Sequence, residues 1–136
     1  MVKSSLSTSL HIMTLLAMFP EEWISSKTMA ESIHINPVLV RQELRKLKEA
    51  ELIQSKEGKN GGVKLIKNAS KILLADVFKA IKKDHHVFEI RSETPDKTCK
   101  VGKKINTKLN SLYQEIDNAI LLKLEETTLE AFKNSF

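Results

Sequence analysis

The sequence predicts a mainly α-helical domain that carries one small β-hairpin. Three observations predict it. Apolar residues recur at helical spacing in four separate stretches between Leu6 and Ile81. Two short strand-like runs flank the glycine-rich string Lys56-Glu57-Gly58-Lys59-Asn60-Gly61-Gly62. Beyond residue 104, apolar residues alternate four- and three-residue steps, the signature of one long helix that packs on another.

The first helix covers Leu6 to Phe19. Leu6, Leu10, Met13 and Ala17 share a stripe, Ile12, Leu15, Leu16 and Phe19 widen it, and Pro20 ends it. A short second helix follows Trp23: Ser25 and Ser26 are cap candidates, and Met29, Ala30 and Ile33 recur at helical spacing. In His34-Ile35-Asn36-Pro37, Asn36 suits an N-cap, and Pro37 suits the first helical position, where its missing N–H would be unpaired anyway. The third helix therefore starts at Pro37. It buries Val40, Leu44 and Leu47 and turns Arg41, Gln42, Arg45, Lys46 and Lys48 away from the core, so one side packs and the other can read.

Ile53-Gln54-Ser55 and Val63-Lys64-Leu65-Ile66 form the hairpin around the glycine-rich turn. Leu74, Val77, Phe78 and Ile81 mark a fourth helix from Leu73 to Ile81. Lys82 to Gly102 holds Asp84-His85-His86, Pro95-Asp96, Cys99 and Gly102 with no sustained period, and is expected as loop. In the long helix Ile105, Leu109, Leu112, Ile116 and Ala119 step by 4, 3, 4 and 3, with Ile120, Leu121 and Leu124 broadening the stripe. Such a face is buried only on the domain body or on a partner chain. Homodimerisation through Ile105, Leu109, Leu112, Ile116 and Ile120 is expected, and the chain divides into 1–82, a connecting loop 83–102 and a dimerisation helix 103–136.

The 136 residues amount to one domain, which excludes two independent enzyme domains. With 41% hydrophobic and 29% charged residues and no apolar run near the ~18 of a membrane span, the chain is expected to be globular and not membrane-bound. His11 and Thr14 interrupt Leu10 to Phe19, and no small-residue cleavage site follows, so this segment does not read as a signal peptide. One cysteine cannot form an internal disulfide, and a cytoplasmic location is expected. The net charge of +5 is unevenly spread. Residues 37–67 hold eight basic and four acidic side chains and residues 79–108 nine and four, whereas 109–136 hold two and five. A basic middle attracts polyanions, nucleic acid foremost.

Helix, short helix, tight turn, basic helix and glycine-rich hairpin is the order of a winged helix-turn-helix. A helix fits the major groove of duplex DNA and presents side chains to base edges, while a wing lays lysines and backbone against phosphates or the minor groove. Arg41, Gln42 and Arg45 are expected at base edges or adjacent phosphates, and Lys56, Lys59 and Asn60 in the wing; Ser26, Lys27, Pro37 and Gly61 complete the expected DNA-binding set.

The turn from Ile33 to Asn36-Pro37, the run from Leu44 to Ile53 and the wing from Gly58 to Gly62, in this order, resemble the Rrf-two family of bacterial transcription regulators. The match runs from about Ser4 to Ile81 and more loosely along the long helix. The resemblance implies a homodimer with a long crossing helix, a recognition helix at Pro37 to Ala50, a wing at Ser55 to Val63 and a repressor-like role at a pseudo-palindromic operator. Two positions depart from the family: Val63 stands where an aromatic is common, and Ser5 where an arginine is common. A third departure concerns the sensor. Cluster-binding relatives carry three cysteines in the loop before the long helix, and this chain has Cys99 alone, so no iron–sulfur cluster and no other cofactor is expected.

Cys99-Lys100-Val101-Gly102 instead resembles the Cys-x-Val-Gly segment of a cluster-free subgroup, some members of which respond to oxidants or electrophiles. Lys97, Lys100, Lys103 and Lys104 and the coming helix N-terminus all favour the thiolate, so Cys99 is a candidate redox sensor; a buried inert thiol is the alternative. Oxidation could end in a sulfenic acid, a mixed disulfide with a small thiol or a disulfide with another chain. His85-His86 with Cys99 match no closed metal-ligand spacing, and Gly58, Gly61 and Gly62 lead into a strand, unlike a phosphate-binding loop. No metal site and no enzyme are expected, for want of paired carboxylates or a nucleophile with its base. The competing reading is a winged-helix module that binds an acidic protein partner.

Overall fold

The computed structural model describes residues 4–136; positions 1–3 of the expected 1–82 unit lie outside the described residues. Helix α1 spans Ser5–Met18, α2 Ser26–Ile33 and α3 Pro37–Glu49, followed by strands β1 (Ile53–Lys56) and β2 (Gly62–Leu65). A 3₁₀ turn at Ala69–Lys71 leads into α4 (Leu74–Lys82); α5 (Ile105–Leu124) and the short α6 (Leu129–Lys133) close the chain. The fold is mainly α with a two-stranded hairpin, as the periodicity predicts.

Local chemistry sets the boundaries. The Ser25 hydroxyl accepts from the Thr28 N–H (3.1 Å), and the Asn36 side-chain Oδ1 from the Val38 N–H (2.8 Å). Between these caps His34 takes left-handed geometry (φ 64°) and closes α2, while Pro37 opens α3. The Asp76 carboxylate accepts from the Leu73 N–H and starts α4. The core lies where these helices meet: Ile12, Met13 and Leu16 of α1, Met29 of α2, Val40 and Leu47 of α3, Ile53 of β1 and Val77 of α4 are almost wholly buried. Burying such side chains is worth roughly 1.5–3 kcal/mol each. On α1, Ser5, Ser9 and Thr14 are buried as well, while Leu6, Leu10 and Leu15 of the expected stripe are only half-buried.

The hairpin pairs Ile53 with Leu65 and Lys56 with Gly62, and Ile24 adds a rung by exchanging backbone hydrogen bonds with Val63 (3.1 and 2.9 Å). Gly62 makes that close approach possible. Its φ is +151°, and a Cβ there would stand 2.6 Å from the Ile24 carbonyl. Gly62→Ala is expected to cost on the order of 1–3 kcal/mol, read as a lower thermal midpoint. Gly58→Ala, also at positive φ but with nothing within 4 Å, should cost less.

The C-terminal segment differs from the expectation of a single dimerisation helix over 103–136. Helix α5 stops at Leu124, Thr128 caps α6 through the Ala131 N–H (3.0 Å), and the tail folds back on its own domain. The Leu129 N–H donates to the Ile72 carbonyl (2.7 Å), the Leu74 N–H to the Thr127 carbonyl (3.0 Å), and Leu129 is fully buried. The step from Leu124 to Leu129 is five residues, outside helical spacing, and Thr128 supplies the cap at the break.

Helix α5 has two faces. Tyr113, Asp117, Leu121 and Leu124 turn toward the domain body, where Leu121 and Leu124, joined by Ile120, pack against Phe78 and Ile81 of α4. Asp117 is the one buried residue of α5, and its carboxylate accepts from His86 Nδ1 (2.6 Å) and the Val87 N–H (3.1 Å), with Lys82 Nζ at 3.8 Å. The other face carries Ile105, Leu109 and Ile116, half-buried, and Leu112 and Ala119, exposed; Ile120, expected in the dimer set, instead packs within the chain because its position on the helix turns it to Phe78 and Ile81.

Candidate nucleic-acid interface

Helices α2 and α3, with the tight His34-Ile35-Asn36 turn between them, form the helix-turn-helix. On α3, Val40, Glu43 and Leu47 point inward, which rotates Arg41, Gln42 and Arg45 to solvent. Neither arginine is ion-paired among the described residues, so both guanidinium forks are available to an anionic partner or a guanine edge. Lys46 departs from the expected outward set: its ammonium turns to Glu43 Oε1 (3.3 Å) and the Ser5 hydroxyl (3.4 Å) on α1. Lys48 donates to the Ser55 hydroxyl (2.7 Å) and ties the end of α3 to the root of the wing. The Glu49 carboxyl is held below its ordinary value by Lys83, which hydrogen-bonds it at 2.6 Å.

The other expected contacts fall at the helix start and in the wing. Ser26 and Pro37 are half-buried first residues of α2 and α3, and Lys27 is exposed beside the turn. Lys56, Lys59 and Asn60 are exposed in the wing, and Gly61 is half-buried in its turn. Sequence reasoning missed Trp23. Its indole lies under the ammonium groups of Lys64 (4.9 Å) and Lys56 (5.8 Å), a cation–π arrangement that collects two positive charges on the outer face of the hairpin. Lys56 and Lys64 are diagonal neighbours on one face of the hairpin, which was readable; Trp23, more than thirty residues earlier, was not.

Cys99 is exposed, not a buried inert thiol. It sits in a compact turn: the Asp96 carboxylate accepts from Thr98, the Asp96 carbonyl from the Cys99 N–H, and the Cys99 carbonyl from the Lys103 N–H. The backbone N–H groups of Gly102 and then Val101 hold its thiol below the ordinary value. Backbone amides, rather than the neighbouring lysines, thus favour the thiolate.

Residues 2–135 match the Rrf2 family, described as "Iron-dependent Transcriptional regulator". The chain is 33% identical over 134 residues to YwnA of Bacillus subtilis (strain 168), which bears the name of an HTH-type transcriptional regulator, with 98% of each chain covered. Among solved structures it resembles a crystal structure described as that of a DNA-binding protein, with a TM-score of 0.71 at 30% identity over 95% of this chain and 98% of the other. It also shares the fold of CymR, the global cysteine regulator of B. subtilis, with a TM-score of 0.70 at 22% identity over 98% of this chain and 95% of that one.

The iron of the family description finds no matching donor set here. The chain has one cysteine, His86 is closed by Asp117, and among the described residues no three His, Cys, Asp or Glu side chains come together as a metal site.

Proposed function

Since the chain belongs to the Rrf2 family of transcriptional regulators, we propose that this DNA-binding regulator is a cytoplasmic homodimeric repressor, reading a pseudo-palindromic operator through α3 and switched by chemistry at Cys99. The observation that carries the reading is the solvent-facing trio Arg41, Gln42 and Arg45 on a capped helix behind a tight turn, beside a lysine-bearing wing. A helix so presented enters the major groove, and the wing supplies phosphate contacts. The apolar face of α5, unburied within the chain, supports the dimer, and two-fold symmetry then calls for paired half-sites. No helix among the described residues is long and apolar enough to cross a membrane.

Regulation falls to the loop that feeds α5. A hydroperoxide or hypochlorite would be attacked by the Cys99 thiolate: an S–O bond forms as the O–O or Cl–O bond breaks, and the leaving alkoxide, hydroxide or chloride takes the electron pair. A small thiol would then convert the sulfenic acid to a mixed disulfide with loss of water. Such a modification acts only if it changes the relative free energies of DNA-competent and incompetent states. Because the thiol is held below its ordinary value, thiolate is present at lower pH than in free cysteine. Iodoacetamide alkylation of Cys99 is therefore expected to rise through a midpoint below that of a free-cysteine peptide. A midpoint equal to the peptide's would remove the thiolate argument.

The test of function is fluorescence anisotropy on the protein's own promoter and a shuffled duplex at fixed salt, before and after mild oxidation. Promoter preference that falls on oxidation, returns with reductant and persists unchanged in Cys99→Ser is expected. Preference without a redox response keeps the regulator and moves the signal elsewhere; absence of preference favours another operator or an acidic protein partner.

A further inference from the structure

Glu43 stands on the inward stripe of α3 between Val40 and Leu47, at a position suited to an apolar side chain, and is only 8% exposed. Its Oε2 accepts from the Ser5 hydroxyl (2.5 Å) and the Ser9 hydroxyl (3.1 Å), one turn apart on α1, and its Oε1 lies 3.3 Å from Lys46 Nζ. Both serines are buried, Ser9 completely. Every side-chain hydrogen bond between α1 and α3 among the described residues runs through this cluster. Ser5, which departs from the arginine common in the family, thus serves the interior.

Burying a carboxylate is costly even when it is paired, and well-packed apolar replacements of buried ion pairs are often neutral or stabilising. Stability therefore does not explain the cluster. What directional bonds supply, and apolar ridges do not, is a single fixed point. Two hydroxyls converging on one oxygen set where along α1 the carboxylate sits, and hence the rotation and height of α3. Gln42 adjoins Glu43, and Arg41 and Arg45 lie two residues to either side, so a turn of α3 about its axis displaces all three. Recognition geometry tolerates only about 0.5 Å and 10–20° of error.

We propose that Glu43, pinned by Ser5 and Ser9, is a positioning residue that sets the sequence specificity of α3. This rests on the reading of α3 as the DNA-reading helix. The full chain and its Glu43→Met, Glu43→Gln and Ser9→Ala variants would be compared by thermal unfolding and by affinity for two duplexes: the one the wild type enriches from a random pool, and its shuffled counterpart. Glu43→Met leaves the Ser5 and Ser9 hydroxyls without their acceptor and is expected to unfold cooperatively at a lower midpoint, and to lose tenfold or more of the preferred-to-shuffled affinity ratio while its affinity for the shuffled duplex holds. Glu43→Gln, which keeps an acceptor for both hydroxyls, is expected to retain most of the ratio.

A folded Glu43→Met with the wild-type ratio overturns the proposal and leaves the DNA reading standing. A Glu43→Gln that loses as much as Glu43→Met also overturns it. If Glu43→Met does not fold, Ser9→Ala decides: a loss of about threefold or more in the ratio upholds the pin, and an unchanged ratio overturns it. A wild type that enriches no duplex fails the DNA reading itself, and the proposal with it.

Discussion

Placing glutamate at Leu112 and Ala119 together is expected to give a folded monomer that has lost most of its operator affinity. Both residues are exposed within the chain, on the α5 face that the domain core leaves unused, so the double variant keeps its thermal unfolding cooperative. In a dimer the same face would be dry, and four buried carboxylates without partners are strongly destabilising. In the proposed dimer, losing the partner would turn a bivalent grip into a single half-site contact. Linked binding modules gain on the order of 10²–10⁴-fold over one alone, and a loss of that size is expected on the full operator. Sedimentation and anisotropy on full and half operators check it. A variant that stays dimeric would place the interface elsewhere.

Arg41→Ala and Gln42→Ala are each expected to weaken binding to the preferred duplex by about 1–3 kcal/mol and to the shuffled duplex far less, if each holds a base edge. Arg45→Ala belongs in the same series. Lys59→Ala should weaken both duplexes about equally and lower the slope of affinity against salt by about one counterion, as a phosphate contact does. The expected contrast follows from placement: the α3 trio stands on a capped, core-anchored helix, whereas Lys59 stands in the turn of the wing. Equal losses on both duplexes for Arg41 and Gln42 would demote them to phosphate contacts.

The elements legible from sequence are those whose signals are local. Ser25, Asn36 and Pro37 mark the starts of α2 and α3 within a few residues of the bonds they make, and the glycines of the wing mark the turn they permit. The 4-3-4-3 spacing from Ile105 to Ala119 identifies a face that the structure leaves unburied within the chain. What stayed hidden depends on partners distant in sequence. Glu43 is tied to residues 38 and 34 positions away, and Asp117 to His86 across 31, so each looks like an ordinary surface acid when read along the chain. The end of α5 is different: the five-residue step from Leu124 to Leu129 and the Thr128 cap are local signals, and the packing of Leu129 against the 3₁₀ segment shows where the chain goes after it. The source of the Cys99 acidity was invisible because it lies in backbone direction, which side-chain charges do not report.

The fold-back of α6 makes α5 a lever. Its C-terminal end is clamped to the domain through Leu124 and Leu129, and its middle is gripped where Asp117 holds the His86 and Val87 segment. At about 1.5 Å per residue, the arm from Asp117 back to Ile105 is roughly 18 Å long and the arm to Leu124 roughly 10 Å. If chemistry at the Cys99 turn displaced the long arm, the Asp117 carboxylate would be its pivot and the body that carries α3 would take the load.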